Sequence, residues 1–414
     1  MTAIDHSLVE RIAQHLQRPI EKIVRTKARL HLLDWLACVA GGRQSDIARS
    51  LAKDGLTASA DKAAWLGNVL EMDDVHRTAI LHPGPAVWPT VLAMGGDALD
   101  DALDAGVRGY EAMIGIGAML DGRHYAFWHN TATAGSFGAA AAAASRLDAN
   151  EAQLVSALGL AGSVTGGLWQ MRHEPVMAKQ WHLAHAMMTG MAAARHAVAG
   201  VTGPRFILEG PQGLFAATCD APKPLMLAEG WRIDEVSFKP WGACRHAHPA
   251  IDAALELKAA GALEGRVTVA TYRDALVFCD RPDPQSVLDA KFSLQHAVAI
   301  VMDRGVPQLA DFEPDAIAAL APARSLVTVM ESEELTRAYP AHFGATLSSG
   351  KGRVTLADAR GDPERPLSEA GVVEKARALM AWGGIGTDEA SDMIAATLEG
   401  DRVSDILRIL EGWL

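Results

Sequence analysis

The sequence has little of what marks several common protein classes. Its 414 residues contain only four cysteines, Cys38, Cys219, Cys244 and Cys279, and no two of them form a C-x-x-C pair. Such sparse cysteines exclude a disulfide scaffold and make a reducing compartment the default. No run of Lys and Arg is present, and the formal net charge is -12. A nucleic-acid partner is therefore not expected.

Long apolar segments are missing as well. No uninterrupted apolar stretch reaches membrane-spanning length, and residues 1–6 carry neither the basic nor the apolar region of a secretory leader. We therefore expect a cytoplasmic protein with no membrane partner. Aromatic residues make up only 6% of the chain, whereas hydrophobic residues reach 49%. This composition can bury a large core, and its abundant small residues favour closely packed helices.

Several familiar motifs are absent. There is no G-x-x-x-x-G-K-[ST] phosphate loop and no G-x-S-x-G elbow. Gly115, Gly117 and Gly122 lie inside a helical pattern with no preceding strand, so they are not a dinucleotide fingerprint. The H-E-P sequence at residues 173–175 departs from H-E-x-x-H. These absences argue against kinases, common dehydrogenases, α/β-hydrolases and zincins.

The spacing of apolar residues predicts a mainly α protein with an α+β insertion. Helical spacing dominates up to about residue 236, and the alanine run 139–144 indicates a buried central helix. Beyond that point alternation of apolar residues predicts strands, with helical patterns between them. The predicted strands are 266–271, 326–330 and 353–356, and the predicted helices are 248–260 and 289–304. We predict a helical domain of residues 1–236 and 364–414 and an α+β lid domain of residues 237–363.

Two segments of the helical part collect side chains suited to acid–base chemistry. Residues 67–84 carry Glu71, Asp73, Asp74, His76 and His82 in a turn-prone stretch. The alternative for these residues is a solvated acidic loop with helix caps. Residues 122–131 carry Tyr125 and His129 before the alanine-rich helix, where a helix N-terminus favours an anion. Their alternative is an aromatic wedge that closes a helix pair.

A third segment lies where the composition changes. Residues 239–248 contain Lys239, Cys244, Arg245, His246 and His248. Because small-ligand sites tend to lie at domain junctions, these cations fit a site for carboxylates. The alternative is a hinge with a solvated basic face.

Two histidine pairs are candidate metal ligands. They are His246 with His248, and His182 with His185. Neither pair has a carboxylate at clear ligand spacing, and such pairs are more often core or surface histidines. We therefore predict no metal, and the rival class is a metal-dependent hydro-lyase that uses His246, His248 and the acidic residues.

Taken together, these segments resemble the MmgE/PrpD family over nearly the whole chain. The E-M-D-D-V-H sequence at 71–76 with H-P-G at 82–84 is similar to its D-F-D-D-T-H…H-P pattern. Residues 239–248 are similar to its K-x-x-P/A-x-C-R-x-x-H segment, and residues 289–299 to its F-S-x-x-x-A-V-A segment. Residues 200–210 also fit. The resemblance implies a helical domain plus an α+β lid, usually a homodimer, with the active site in the cleft between them.

The resemblance also implies cofactor-free chemistry on a compact polycarboxylate. Known activities of the family include 2-methylcitrate dehydration, cis-aconitate decarboxylation and iminodisuccinate epimerisation. Glu71 and Val75 depart from the usual aspartate and threonine. Cys244 and Phe278 stand where the decarboxylases carry histidine and tyrosine, which weighs against decarboxylation. We expect a dehydratase or hydratase type of lyase or an isomerase; the alternatives are an iminodisuccinate-type epimerase and a non-catalytic carboxylate-binding paralogue.

The common chemical step would be proton transfer at the carbon α to a carboxylate. Lysine can serve as the base where a cleft desolvates it, which makes Lys239 the candidate base. His82, His129 and Tyr125 are the candidate acids or bases on the opposite face. Lys179 and Arg245 are expected to clamp substrate carboxylates. The remaining candidate substrate-binding residues are His246, Glu71, Asp73, Asp74 and His76.

Overall fold

The computed structural model describes residues 6–54, 58–174 and 176–414. Residues 1–5, which carry most of the segment on which the expectation of no leader rests, lie outside the described residues. Contacts divide the chain into two compact units, Met1–Val236 with Ser368–Leu414, and Ser237–Leu367. We refer to them as the helical unit and the α+β unit.

Helices α and 3-10 helices η follow one another along most of the chain. The first part contains α1 (Leu8–His15), α2 (Lys22–Gly42), α3 (Asp46–Asp54), α4 (Ser59–Leu66), α5 (Gly84–Ala93), α6 (Leu99–Met119), α7 (Gly122–Phe127), α8 (Asn130–Arg146), α9 (Glu151–Ser163), η1 (Trp169–His173), α10 (Ala178–Val198), α11 (Leu214–Thr218) and η2 (Arg232–Glu235). The α+β unit contains η3 (Arg245–Ala247), α12 (His248–Ala259), β1 (Val267–Thr271), α13 (Arg273–Cys279), α14 (Val287–Lys291), α15 (Leu294–Asp303), η4 (Leu309–Phe312), α16 (Pro314–Ala319), α17 (Ala321–Arg324), β2 (Val327–Glu331), α18 (Glu333–Ala338), β3 (Ala345–Ser349) and β4 (Arg353–Leu356). The chain ends with α19 (Glu369–Trp382), α20 (Thr387–Leu398) and α21 (Val403–Trp413).

The core of the helical unit is built around α8. Every residue from 130 to 144 is buried, and α8 packs against α6 and α10. Small residues allow this close approach: a Cβ added at Gly190 in α10 would lie 2.4 Å from the Cβ of Ala139. The sequence-based prediction of a buried central helix in the alanine run is therefore confirmed. Its N-cap residue is His129, which places that side chain at the entry of this buried helix.

The α+β unit contains a four-stranded mixed sheet in the order β2-β1-β3-β4. β1 pairs parallel with β2, Val267 opposite Val327, and antiparallel with β3, Val269 opposite Leu347. β3 and β4 form an antiparallel pair. The alternating burial of β1 matches the alternation predicted from sequence. The fold class, mainly α with a small α+β unit, is thereby confirmed.

Two details of the α+β unit differ from the sequence-based expectation. The helix predicted at 289–304 is broken, because Ser293 caps α15 by accepting a hydrogen bond from the His296 backbone N–H at 3.0 Å. Strand β3 was not predicted, since its sequence ATLSS is poor in β-branched and aromatic residues. It forms nevertheless because it is bonded on both edges, by β1 and β4, which shows how tertiary pairing overrides local preference.

Within the part of the chain that the structure describes, no helix combines the length and apolarity needed to cross a membrane.

Candidate active site

The segment between α4 and α5 is held in place by Asp74. This buried carboxylate accepts hydrogen bonds from the Tyr110 hydroxyl at 2.6 Å and from the Gly84 backbone N–H at 2.9 Å. Its Oδ2 also lies 2.8 Å from Nδ1 of His31. All three partners belong to the core of the helical unit. These contacts fix the segment to α2, α5 and α6.

A buried lysine holds the same segment from the other side. Lys375 of α19 donates to the Met72 carbonyl at 2.6 Å and to the Asp34 carboxylate at 2.5 Å. Burial, opposed by the Lys375 charge, raises the pKa of Asp34 to about 6. The charge of Asp34 in turn holds the pKa of Lys375 above its ordinary value, although burial acts the other way. The segment is therefore anchored by residues that are far apart in sequence.

Asp73 orients His82. Its Oδ2 lies 2.9 Å from Nδ1 of His82, and both of its oxygens accept from the Asn68 side-chain amide at 2.8 Å. Nδ1 of His82 is also 3.1 Å from the Asp74 carbonyl oxygen. A carboxylate that holds one imidazole nitrogen fixes the ring and leaves the other nitrogen for proton transfer. His82, whose side chain is 16% exposed, is thus prepared for acid–base chemistry through Nε2.

Glu71 lies in an unusual backbone conformation and contacts Lys179. Its φ of 58° falls in the left-handed region, which non-glycine residues rarely adopt. Its buried carboxylate forms an ion pair with the ammonium of Lys179, in the first turn of α10. Strained backbone of this kind persists where the surrounding structure over-determines it, and it is frequent at functional sites.

His129 lies at the point where α8, η1 and α10 meet. Its backbone N–H donates to the Gly167 carbonyl at 2.8 Å, and its Nδ1 is 3.2 Å from Nδ1 of His182. The Trp169 ring packs on the imidazole with centroids 4.4 Å apart. The side chain is therefore fixed on several sides within the helical unit.

The electrostatic environment of His129 is positive. Burial, followed by the charges of Lys179, His182, His82 and Arg172, holds the pKa of His129 well below its usual range. These four groups come from three parts of the chain, because Lys179 and His182 both belong to α10, Arg172 belongs to η1 and His82 precedes α5. Contacts also bring these groups together. His182 contacts the His129 ring, Lys179 precedes His182 by about one turn of α10, and the His82 backbone N–H donates to the Thr131 hydroxyl at 3.2 Å. His129 is therefore neutral at neutral pH, in surroundings that favour an anion.

Tyr125 belongs to an aromatic group beside His129. Its ring meets Trp169 edge to face at 6.0 Å, and the Arg172 guanidinium lies 4.9 Å from the Tyr125 centroid and 3.5 Å from that of Trp169. In contrast, the neighbouring His124 is buried between the hydroxyls of Thr218 and Thr133. The basic and aromatic cluster predicted at residues 122–131 therefore has two parts. His124 belongs to the core, and Tyr125 lies near His129.

His76 is turned toward η2. Its Nε2 lies 2.9 Å from the Glu235 carboxylate, and its Nδ1 accepts from the Ala79 backbone N–H at 3.1 Å. Burial lowers the pKa of His76 although Glu235 acts the other way. Both ring nitrogens are engaged in contacts within the helical unit, which connect the 67–84 segment to Glu235.

In the α+β unit, Arg245 forms a buried ion pair with Asp362. Asp362 also accepts from the Ser237 hydroxyl at 2.6 Å and from the Ala359 backbone N–H at 3.0 Å. The buried Nε and Nη1 of Arg245 have no hydrogen-bond partner among the described residues. Lys239 lies in the same unit and is 1% exposed. Arg245 therefore retains buried donors that could bind an anion.

His246 sits among aromatic rings. Its Nδ1 is 2.6 Å from the Tyr272 hydroxyl oxygen, and its ring stacks on Phe278 with centroids 5.1 Å apart. Phe343 stacks at 5.5 Å. Cys244 is buried two residues earlier and donates its backbone N–H to the Lys291 carbonyl at 2.8 Å.

The structure thus groups the predicted residues unevenly. Glu71, Asp73, His82, Tyr125 and Lys179 lie near His129, either directly or through one another's contacts, whereas Asp74 and His76 bind other partners in the same unit. Lys239, Arg245 and His246 belong to the α+β unit.

Sequence reasoning missed His182, Trp169 and Arg172 as members of the group around His129. One signal pointed to His182: it follows Lys179 by three residues on the same helix, so the two side chains share a face.

Among residues 6–54, 58–174 and 176–414, one group of His, Cys, Asp or Glu side chains has metal-ligand spacing. It consists of His342, Asp358 and Glu364. Neither histidine pair considered from the sequence, His246 with His248 or His182 with His185, belongs to it.

Comparison with protein families gives two matches, in chain order. A model of the MmgE/PrpD N-terminal domain matches residues 51–226, and a model of the MmgE/PrpD C-terminal domain matches residues 241–399. A search of curated proteins found no match. The family matches cover most of the chain and include every candidate site residue except Lys239, which lies between the two matched ranges. They confirm the resemblance drawn from the sequence motifs, and the chain therefore belongs to the MmgE/PrpD family.

Proposed function

We propose that the protein is a cofactor-free enzyme that moves a proton at the carbon α to a carboxylate on a small di- or tricarboxylate. The reaction would be that of a lyase of the dehydratase or hydratase type, or of an isomerase. The observation that supports this most is the grouping of a carboxylate-oriented His82, a neutral buried His129 and Lys179 in the helical unit.

Each member of this group has a role in the proposed reaction. An α-proton is weakly acidic, so the enzyme must stabilise the negative charge that develops when the proton leaves. The cations that lower the pKa of His129 supply such a potential. A neutral imidazole accepts a proton, and His82, fixed by Asp73, donates or accepts one through Nε2. Lys179 binds a substrate carboxylate in competition with Glu71.

Two cationic residues of the α+β unit, Arg245 and Lys239, also have roles in the proposed reaction. Arg245 is assigned as a carboxylate clamp, because its buried Nε and Nη1 are donors without a hydrogen-bond partner among the described residues. Lys239 keeps the role of candidate base that its position in the family's lysine–arginine–histidine segment implies. The contacts of Asp74 and His76 lead us to assign these two residues to holding the 67–84 segment.

Two other functions compete with this assignment. An epimerase of the iminodisuccinate type would also abstract an α-proton but would return one to the opposite face. A non-catalytic paralogue would bind carboxylates without exchanging their protons. The departures at Val75, Cys244 and Phe278 are compatible with either alternative.

A proton-exchange screen separates these functions. The full chain is incubated in deuterated water with a panel of di- and tricarboxylates, and each compound is followed by NMR. We expect deuterium at the carbon α to a carboxylate in at least one compound. Loss or gain of water then identifies a lyase, and inversion without mass loss identifies an epimerase. Tight binding by calorimetry with no exchange in any compound would contradict the proposal and support the paralogue.

We also propose a homodimer, as the family resemblance implies, with no nucleic-acid or membrane partner. Light scattering should give about twice the chain mass of 43.9 kDa. A particle of single-chain mass at working concentration would refute the dimer.

Metal dependence is tested separately. We expect activity to survive EDTA treatment. Loss of activity that one added divalent ion restores would favour the rival metal-dependent hydro-lyase.

A further inference from the structure

His129 and His182 form a direct ring-to-ring hydrogen bond. Their Nδ1 atoms are 3.2 Å apart, and the ring centroids lie 5.5 Å apart at 47°. In two neutral imidazoles only one of the facing nitrogens carries a hydrogen. The two rings must therefore adopt complementary tautomers, and the state of one determines the state of the other.

The surrounding chain is shaped to hold this pair. Gly167 accepts the His129 backbone N–H at 2.8 Å, and a Cβ added at Gly167 would lie 3.0 Å from Nδ1 of His182. The same Cβ would lie 2.8 Å from that of Ala132. A side chain at position 167 would therefore crowd the imidazole. The absence of one leaves room for the His182 ring beside His129.

The two rings differ in their access to water. His129 is 2% exposed, whereas His182 is half-buried and follows Trp181, which is 45% exposed. A proton that reaches His129 from a substrate has no short route to solvent through His129 itself. His182 provides one, because it contacts His129 on one side and lies nearer the surface.

We propose that His182 is a positioning residue that sets the tautomer of His129 and relays protons between His129 and water. This inference rests on the proposed function, in which His129 accepts a proton from the substrate. Because Nδ1 of His129 faces His182, that exchange would use Nε2.

The relay has two balanced states. In the first, His129 carries hydrogen on Nδ1 and donates it to Nδ1 of His182, so its Nε2 lone pair accepts the substrate proton. The Nδ1 proton of the resulting imidazolium then passes to Nδ1 of His182, and His182 releases its Nε2 proton to water. In the second state, His129 carries hydrogen on Nε2 and acts as an acid, while His182 donates from Nδ1.

Other charged groups act on the same pair. Lys179, His82 and Arg172 act on His129, and His185 acts on His182. Lys179 is paired with Glu71 and His82 with Asp73. A change in the pH profile of activity is therefore assigned to the pair only when it appears in a His182 variant that keeps all of these neighbours.

The first test reads the tautomer without using activity. Full-length protein with nitrogen-15-labelled histidine is studied by long-range proton–nitrogen NMR, which distinguishes the two neutral tautomers of His129. We expect His182→Leu to change the His129 ring-nitrogen shifts. His182→Asn should preserve them, because its amide can replace the Nδ1 contact. His185→Leu, on the same helix, is the control and should leave them unchanged. Unchanged His129 shifts in His182→Leu would overturn the positioning role.

The second test separates relay from positioning. With a polycarboxylate from the panel that exchanges with the wild type, both His182→Leu and His182→Asn should exchange its α-proton about tenfold more slowly. That effect is below the hundredfold scale of a direct general base. KM should change little. Wild-type exchange rates in both variants would overturn the relay.

The two tests also separate this inference from the proposed function. If no polycarboxylate exchanges with the wild type, the proposed function fails and the relay fails with it. The NMR result still decides whether His182 sets the tautomer of His129. A Zn²⁺ titration that moves both rings stoichiometrically would instead identify a metal-ligand pair and would overturn the inference.

Discussion

The two units surround their histidines in different ways. In the helical unit, His82 contacts Asp73, His76 contacts Glu235 and His129 contacts His182. In the α+β unit, His246 lies between aromatic rings and a tyrosine hydroxyl.

The other histidines of the α+β unit have mixed partners. His248 and His296 lie near backbone carbonyls, at 3.0 Å from Ala243 and 2.8 Å from Asp311, and Nδ1 of His296 is also 3.3 Å from the Arg324 guanidinium. Nδ1 of His342 lies 3.0 Å from the Asp358 carboxylate. Charged or titratable partners adjust proton affinity, whereas rings and carbonyls mainly fix position. The proposed function assigns proton transfer by histidine to His82 and His129 of the helical unit, and it keeps Lys239 and Arg245 of the α+β unit in their proposed roles.

The largest expected effect comes from removing Arg245 of the α+β unit. Arg245→Met leaves the buried Asp362 without its ion-pair partner, and such a loss costs about 3–5 kcal/mol of unfolding free energy. Urea unfolding measures it. Adding Asp362→Asn to the same chain should recover part of the loss. Unchanged stability in Arg245→Met would show that the ion pair is not structural.

Lys239 tests whether the α+β unit supplies the base. We expect Lys239→Met to lower turnover on the order of a hundredfold or more, the usual scale for removing a general base. Lys239→Arg is the matched control, because it keeps a positive charge but is too weak an acid to act as base. Near-normal turnover in Lys239→Arg, with no basic limb lost from the pH profile, would leave Lys239 only a binding role.

Asp73 tests the orientation of His82. Asp73→Asn keeps the size of the side chain but removes the carboxylate that holds Nδ1 of His82, so turnover should fall about tenfold or more. Asp74→Asn is the neighbouring comparison. It should lower unfolding free energy by about 1–3 kcal/mol, because its buried partners lose a charged acceptor. If Asp73→Asn lowers stability but not turnover, Asp73 does not orient His82 for catalysis.

Acid should weaken the helical unit before the α+β unit. Burial lowers the pKa of His15 and His124 to about 4, and it also lowers those of His31, His76, His129 and His182. In the α+β unit, burial lowers the pKa of His296 to about 4.

Proton linkage gives the direction in which stability changes with pH. Unfolded histidine titrates near pH 6.5, so the unfolded chain binds more protons below that pH. Stability is therefore fully present above pH 6.5 and is lost as the pH falls toward 4. Hydrogen–deuterium exchange at pH 7 and pH 5 should show earlier loss of protection in the helical unit. Equal loss in both units would contradict the contrast.

The smallest expected effect concerns the strained Glu71. Glu71→Gly and Glu71→Gln both remove the carboxylate, but only glycine relieves the positive φ of 58°. Glu71→Gly should therefore be more stable than Glu71→Gln by about 1 kcal/mol. Thermal unfolding of the pair measures the difference. Equal stability would show that the backbone at Glu71 carries no strain.

Much of the fold could be predicted from the sequence. The alanine run and the alternation at β1 are local signals, and both elements formed where expected. Strand β3 could not be predicted, because its formation depends on pairing with β1 and β4 on its two edges.

Only the site residues that belong to sequence motifs could be predicted. His82, His129 and Lys179 came from sequence segments and the family resemblance. The sequence predicts Asp74 and His76 as substrate contacts because it does not reveal their actual partners, Tyr110 and Glu235, which are far away along the chain. The His129–His182 contact was missed for the same reason, since no local pattern brings two helix ends 53 residues apart into contact.

The most direct test of the central claim is the position of deuterium in recovered substrate. A polycarboxylate that the wild type turns over is incubated in deuterated water with EDTA present. NMR should then show deuterium at the carbon α to a carboxylate, at a rate at least comparable to turnover. The His82→Asn and His129→Asn variants should slow that exchange while binding persists by calorimetry. Turnover without α-deuterium, or undiminished exchange in both variants, would contradict proton transfer by this histidine group.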